Sequence, residues 1–96
     1  MAKLRFTPRA ESDLEDIWKA IATENLPAAD RTVARILEKL RTACGFPQMG
    51  ARRPDLSNSA RILIAGVYIV IYEPQEEALL VVAIVHGKRD PDRWLE

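Results

Sequence analysis

The sequence predicts an α+β domain of order βααβββ. An N-terminal strand leads into an antiparallel two-helix hairpin, followed by a three-stranded antiparallel meander, with the helices packed on one face of the sheet. Three observations predict it. Two neighbouring segments repeat apolar residues at helical spacing. Only a few residues separate them, which folds them back on each other. The last third of the chain reads as apolar strands divided by tight-turn signals. Ninety-six residues correspond to a single domain, 1–96, with a thin margin of stability.

Lys3 to Phe6 alternates and reads as a short strand. Thr7-Pro8 starts a helix: a hydroxyl to cap, then a proline at the first turn, where its missing N–H does no harm. Leu14, Ile17, Trp18 and Ile21 form the apolar stripe, with Ala10 one turn earlier. Glu11, Asp13, Glu15 and Asp16 crowd the early turns, where the helix dipole favours negative charge. Asn25-Leu26-Pro27 interrupts the pattern. Ala29, Val33, Ile36, Leu37, Leu40 and Cys44 make a second stripe, which Gly45 ends, with Pro47 just beyond.

Residues 46–60 have turn composition and no period, and read as a loop. Arg61–Ile64 and Val67–Glu73 flank a tight turn at Ala65-Gly66. Pro74 to Glu77 makes the next turn. Ala78–Val85 is apolar at every position, as a strand covered on both faces would be. It is expected between strand 3–6 and strand 67–73. One helical hairpin covers one face of a sheet. Part of the sheet, or the groove beside it, is therefore expected to stay apolar and open until a partner arrives. The competing expectation is that loop 46–60 and the C-terminal tail fold over it.

Net charge is zero, but residues 31–61 carry seven basic side chains against two acidic ones. Such a segment can meet nucleic acid or an acidic protein, or simply be a solvated helix face. Overall neutrality argues against a dedicated nucleic-acid binder. Cys44 is the only cysteine, so neither a disulfide framework nor a cysteine metal cluster is expected. No segment reads as a membrane span or signal peptide, which points to the cytoplasm.

The chain resembles the ParE branch of the RelE/ParE superfamily, toxins of bacterial type II toxin–antitoxin modules. The residues that carry the likeness are Phe6, Pro8, Ala10, Asp13, Leu14, Ile17 and Trp18, then Pro47, Gly50, Arg53, Pro54 and Leu56. Arg61, Leu63, Tyr68, Val70, Tyr72, Val85, His86, Arg89 and Asp90 complete it. The resemblance implies a toxin of one of two kinds. ParE-like members bind DNA gyrase and trap it on broken DNA; RelE-like members cut messenger RNA on the ribosome. Both are held silent by an antitoxin that wraps them. It also implies no cofactor.

Metal-free RNA cleavage needs a base, an acid and cations converging on one phosphate. Where RelE-like nucleases carry an arginine after the first strand tyrosine, this chain has Ile69. Their alternating lysines correspond to Arg61 and apolar Leu63, and their C-terminal tyrosine to Trp94 or Leu95; Arg89 matches. Simple hairpin registers set Arg61 opposite Val70 and Val70 opposite Val81. His86 then lies five residues beyond that row, on the order of 16 Å at roughly 3.3 Å per residue. His86 with Asp90, Asp92 and Glu96 fits no metal-ligand spacing.

The sequence therefore favours a gyrase-binding toxin. The ribosome-dependent nuclease and a non-toxic antitoxin-binding member are the alternatives. No catalytic or metal-ligating residue is expected, nor direct nucleic-acid or membrane binding. Target contacts are expected from Arg52, Arg53, Arg61, His86, Lys88, Arg89, Arg93 and Trp94, since arginine and tryptophan usually dominate interface energetics. Surface solvation is the bland reading of each cation. Antitoxin contacts are expected from Phe6, Leu14 and Trp18, with Tyr68, Val70 and Tyr72 as the outer sheet face. Ordinary core packing is the bland reading there.

Overall fold

A computed structural model describes residues 2–96. Strand β1 (Lys3–Phe6) leads into helices α1 (Pro8–Ala22) and α2 (Leu26–Gly45). Strands β2 (Ala51–Arg52), β3 (Arg61–Ala65), β4 (Tyr68–Pro74) and β5 (Ala78–His86) follow, and a short 3₁₀ turn, Pro91–Arg93, ends the chain. The sheet order is β1-β5-β4-β3-β2. β5 lies between β1 and β4 as expected, parallel to the first and antiparallel to the second. Strand β2 is an addition. Two residues inside a segment of turn composition pair with Arg61 and Ile62, so the sheet has five strands.

The helices start where the sequence says they should. The Thr7 hydroxyl accepts from the Ala10 N–H at 3.0 Å, and the Asn25 side chain accepts from the Ala28 N–H at 3.0 Å. Each is followed within two residues by a proline in the first turn. Ala10 is fully buried where α1 meets the sheet, so a larger side chain there would push the helix outward.

β1 ends before β5 does, which leaves part of the β5 edge without a strand partner. Residues around the start of α1 replace it. Thr7 donates its N–H to the Val81 carbonyl at 2.9 Å and its hydroxyl to the Val82 carbonyl at 2.7 Å. The Asp13 carboxylate accepts from the Ile84 N–H at 2.9 Å. These bonds fix α1 in register on the sheet.

Two cores result. The helix-side core holds Ile36, Leu40, Leu63, Val70, Tyr72, Leu79, Val81 and Ile84. The opposite face gathers Ile71, Ala83, Val85 and Trp94, flanked by Leu56, Ile62, Ile69 and Val82. Both faces of β5 are thus covered, which accounts for its unbroken apolar run. The outer cover is the chain itself: Leu56 of the loop and Trp94 of the tail. The outer sheet face is thus closed as the competing expectation has it, and of the two places expected to stay open it is the groove beside the sheet that remains. Among the described residues of the sheet and its turns, Ile64 and Val67 at the tip of the β3–β4 hairpin keep large exposed apolar side chains.

The registers also differ from the simple estimate. The turn falls on Gly66-Val67, with Gly66 at a φ of 63°, so Arg61 pairs with Tyr72 rather than Val70. A bulge next to Tyr72 then sets Tyr72 opposite Val81 and Ile71 opposite Ala83. The two corrections cancel. Arg61 still sits in the row of Val81, but the bulge takes up one residue of β5 and sets His86 opposite Tyr68, four rows away, roughly 13 Å at 3.3 Å per residue.

Candidate functional site

The expected contact residues divide into those the fold uses itself and those it leaves available. Val70 and Tyr72 are fully buried and face the helices, with Tyr68 packed against the same core. They are not an outer sheet face; Ile69 and Ile71 are. Tyr72 is a loop anchor. Its hydroxyl donates to the Pro47 carbonyl at 2.7 Å and accepts from the Gly50 N–H at 2.9 Å. Burial pushes its ionisation above the usual tyrosine value, opposed by the Gly50 bond and nearby Arg61. A Cβ on Gly50 would lie 2.6 Å from that hydroxyl oxygen and 2.7 Å from the Ile62 carbonyl, so only glycine fits.

Three residues expected at a target interface are engaged by the fold itself. Trp94 is 4% exposed. Its indole N–H donates to the Arg89 carbonyl at 3.0 Å, and its ring carries the Arg53 guanidinium 4.9 Å from the centroid. Arg53 also grips Asp55 through two hydrogen bonds, which hold the Asp55 carboxyl below its ordinary range. Arg61 donates to the carbonyls of Gln48 and Gly50 at 3.0 and 2.8 Å. Long-range packing of loop and tail, which leaves no local trace in the sequence, claims all three.

Arg52, His86, Lys88, Arg89 and Arg93 are exposed. They lie at two ends of the sheet, Arg52 beside Arg61 and the others at and beyond the end of β5. His86 stands edge-on to Tyr68, ring centroids 5.5 Å apart, and its Nδ1 accepts from the Lys88 N–H at 3.1 Å. Arg93 pairs with Glu96 at 3.0 Å on the surface. Among the described residues, no group of three His, Cys, Asp or Glu side chains could hold a metal ion.

Phe6, Leu14 and Trp18 come together. With Val33 and Leu37 they line an open hollow of about 370 Å³ formed by the end of β1 and the two helices. Glu11 and Glu15 complete its lining from α1. The Trp18 indole N–H donates to Asp30 at 2.8 Å, which fixes the ring across the helical hairpin. Val33 and Leu37 escaped the sequence reading as contact residues, although both lie in the stripe of α2. A stripe wider than the sheet can cover was the signal available. The surface is apolar, concave and set on rigid elements, which suits an amphipathic helix or an extended apolar segment.

Residues 4–91 match the family model described as ParE toxin of type II toxin-antitoxin system, parDE. Among solved structures the chain is similar to one described as the chromosomal ParDE TA system from P. aeruginosa. The two are 21% identical over 92% of this chain and 98% of the other, with a TM-score of 0.76, a likeness of fold. No curated protein matches the chain by sequence.

Proposed function

The chain belongs to the ParE toxin family of type II toxin–antitoxin systems, and from that premise we propose that it inhibits DNA gyrase by binding and is silenced by a cognate, ParD-like antitoxin seated in the Phe6–Leu14–Trp18 groove. The observation that carries the proposal is the groove itself. Five apolar side chains on three fixed elements leave an unfilled hollow in a domain whose other sheet face is closed by its own loop and tail. An exposed apolar concavity of this kind is a usual mark of an interaction site.

A binding mechanism asks for complementary surface rather than convergent chemistry. Arg61 is committed to loop carbonyls, and His86 stands in a different row, so guanidinium and imidazole do not face one phosphate. This arrangement supports inhibition by binding over cleavage. The exposed side chains of Arg52, His86, Lys88, Arg89 and Arg93 are proposed as target contacts, where the charge of the arginines and the lysine steers association and sets partner choice.

The test is expression of the chain without antitoxin, in cells from which DNA and RNA are then recovered. Gyrase-linked DNA breaks with intact message are expected. Message cut during translation would replace this reading with the nuclease one, and normal growth would replace it with a non-toxic antitoxin binder.

A further inference from the structure

Apart from the helical groove, three shallow hollows adjoin in a line from α2 across the loop after it to β2 and β3. The first is lined by Arg35, Glu38, Lys39, Thr42 and Met49. Thr42 and Met49 also line the second, of about 760 Å³, with Phe46, Pro47, Gln48 and Pro74. Gln48 and Pro74 pass on to the third, with Arg52 and Arg61. The shared residues make one trough, apolar in the middle and cationic at both ends.

Its middle is the most exposed aromatic surface of the described residues. Phe46 is 69% exposed and Met49 44%. Neither is loose. Phe46 caps α2 through its N–H, and the Pro47–Gly50 backbone is held by Tyr72 and Arg61. The fold thus fixes two large apolar side chains in water, at a standing cost. Arg35, Lys39 and Arg52 form no ion pair among the described residues, and Glu38 is the one carboxylate lining these three hollows. A fourth hollow, which shares Gly45, Pro47 and Gln75 with the middle one, carries Glu76 and Glu77 and bounds the trough on that side.

We propose that this trough contacts the target in addition to the exposed residues at the end of β5, and that it takes an acidic protein surface in which an apolar side chain sits between carboxylates. The apolar side chain seats on Phe46 and Met49. The carboxylates meet Arg35 and Lys39 at one end and Arg52 at the other, where desolvated charge pairs fix orientation. A protein fits better than a nucleic acid. Bases need successive aromatic faces to stack on, and Phe46 is the single aromatic in the lining. The trough shares no lining residue with the antitoxin groove.

The proposal rests on the reading of the chain as a gyrase inhibitor, and one assay separates the two. Purified gyrase supercoiling is titrated with the wild-type chain, with Phe46→Ser/Met49→Ser, and with Arg35→Glu/Lys39→Glu. Both variants are expected to need at least tenfold more protein for half-inhibition, while their thermal midpoints and antitoxin affinities stay at wild-type values. Wild-type potency in both variants would overturn the trough alone. A wild-type chain without effect on gyrase would overturn the trough and the parent reading together. Loss of binding to a single-stranded oligoribonucleotide, with gyrase inhibition retained, would also overturn it, in favour of a nucleic-acid ligand.

Discussion

The Asp13 carboxylate on α1 accepts a hydrogen bond from the backbone N–H of Ile84 on β5 at 2.9 Å. The same carboxylate pairs with Arg9 at 3.3 Å, and Arg9 donates to the Trp94 carbonyl at 2.7 Å. One acidic side chain therefore stands in for a missing strand and links helix, sheet and tail. Asp13→Ala leaves the Ile84 N–H without its partner and is expected to cost about 1–3 kcal/mol. Asp13→Asn, which keeps an acceptor, is expected to cost less. Chemical denaturation of the two variants checks the order, and equal costs would show that the bond contributes little.

Tyr72 predicts an alkaline limit. Burial raises its folded-state ionisation above the unfolded value. The stability this contributes is fully present below the ordinary tyrosine pKa, and it is lost as pH rises through the folded value. Tyr72→Phe removes both loop bonds and is expected to cost about 1–3 kcal/mol near neutral pH. The alkaline loss of stability should shrink in the same variant. Melting curves from neutral to strongly alkaline pH test both statements.

Gly50→Ala drives a Cβ into the Tyr72 hydroxyl and the Ile62 carbonyl. Both are held in place, so the expected destabilisation is about 1–3 kcal/mol or more. A variant as stable as the wild type would show that the Pro47–Gly50 loop can move away from Tyr72.

Trp94 and Arg53 close the outer sheet face. Trp94→Ala is expected to cost about 3 kcal/mol and to raise binding of a hydrophobic dye as Ile71, Ala83 and Val85 lose their cover. In a double-mutant cycle, Arg53→Ala and Trp94→Ala should couple by roughly 0.5–2 kcal/mol. Additive costs would mean that the guanidinium is merely near the ring.

What the sequence could and could not say follows from the range of the interactions. Thr7-Pro8 and Asn25-Leu26-Pro27 announce their helices because capping is local. The run Ala78–Val85 announces a strand covered on both faces because every position is apolar. The facing of Tyr68, Val70 and Tyr72 was not legible: β4 is apolar on both sides, so alternation carries no parity. A bulge changes no residue type, and the two-residue β2 is too short to show a period. Trp94 reads as a target contact because two of the residues that hold it, Arg53 and Arg9, are far away in sequence. Of the candidate site, Phe6, Leu14 and Trp18 were legible as apolar residues grouped together, and they line one hollow; their contact with an antitoxin is the proposal.

The hollow between β1, α1 and α2 is proposed as the seat of the antitoxin. Trp18 lines it from outside the helix-side core, so its truncation is expected to cost the bond to Asp30 but leave the fold standing, which a melting curve checks. Calorimetric titration of the cognate antitoxin into the wild-type chain and into Trp18→Ala is the direct measurement. A loss of affinity of about 2 kcal/mol or more, roughly thirtyfold, is predicted, as for a buried aromatic anchor. Equal affinity for the two proteins would place the antitoxin elsewhere and contradict the account.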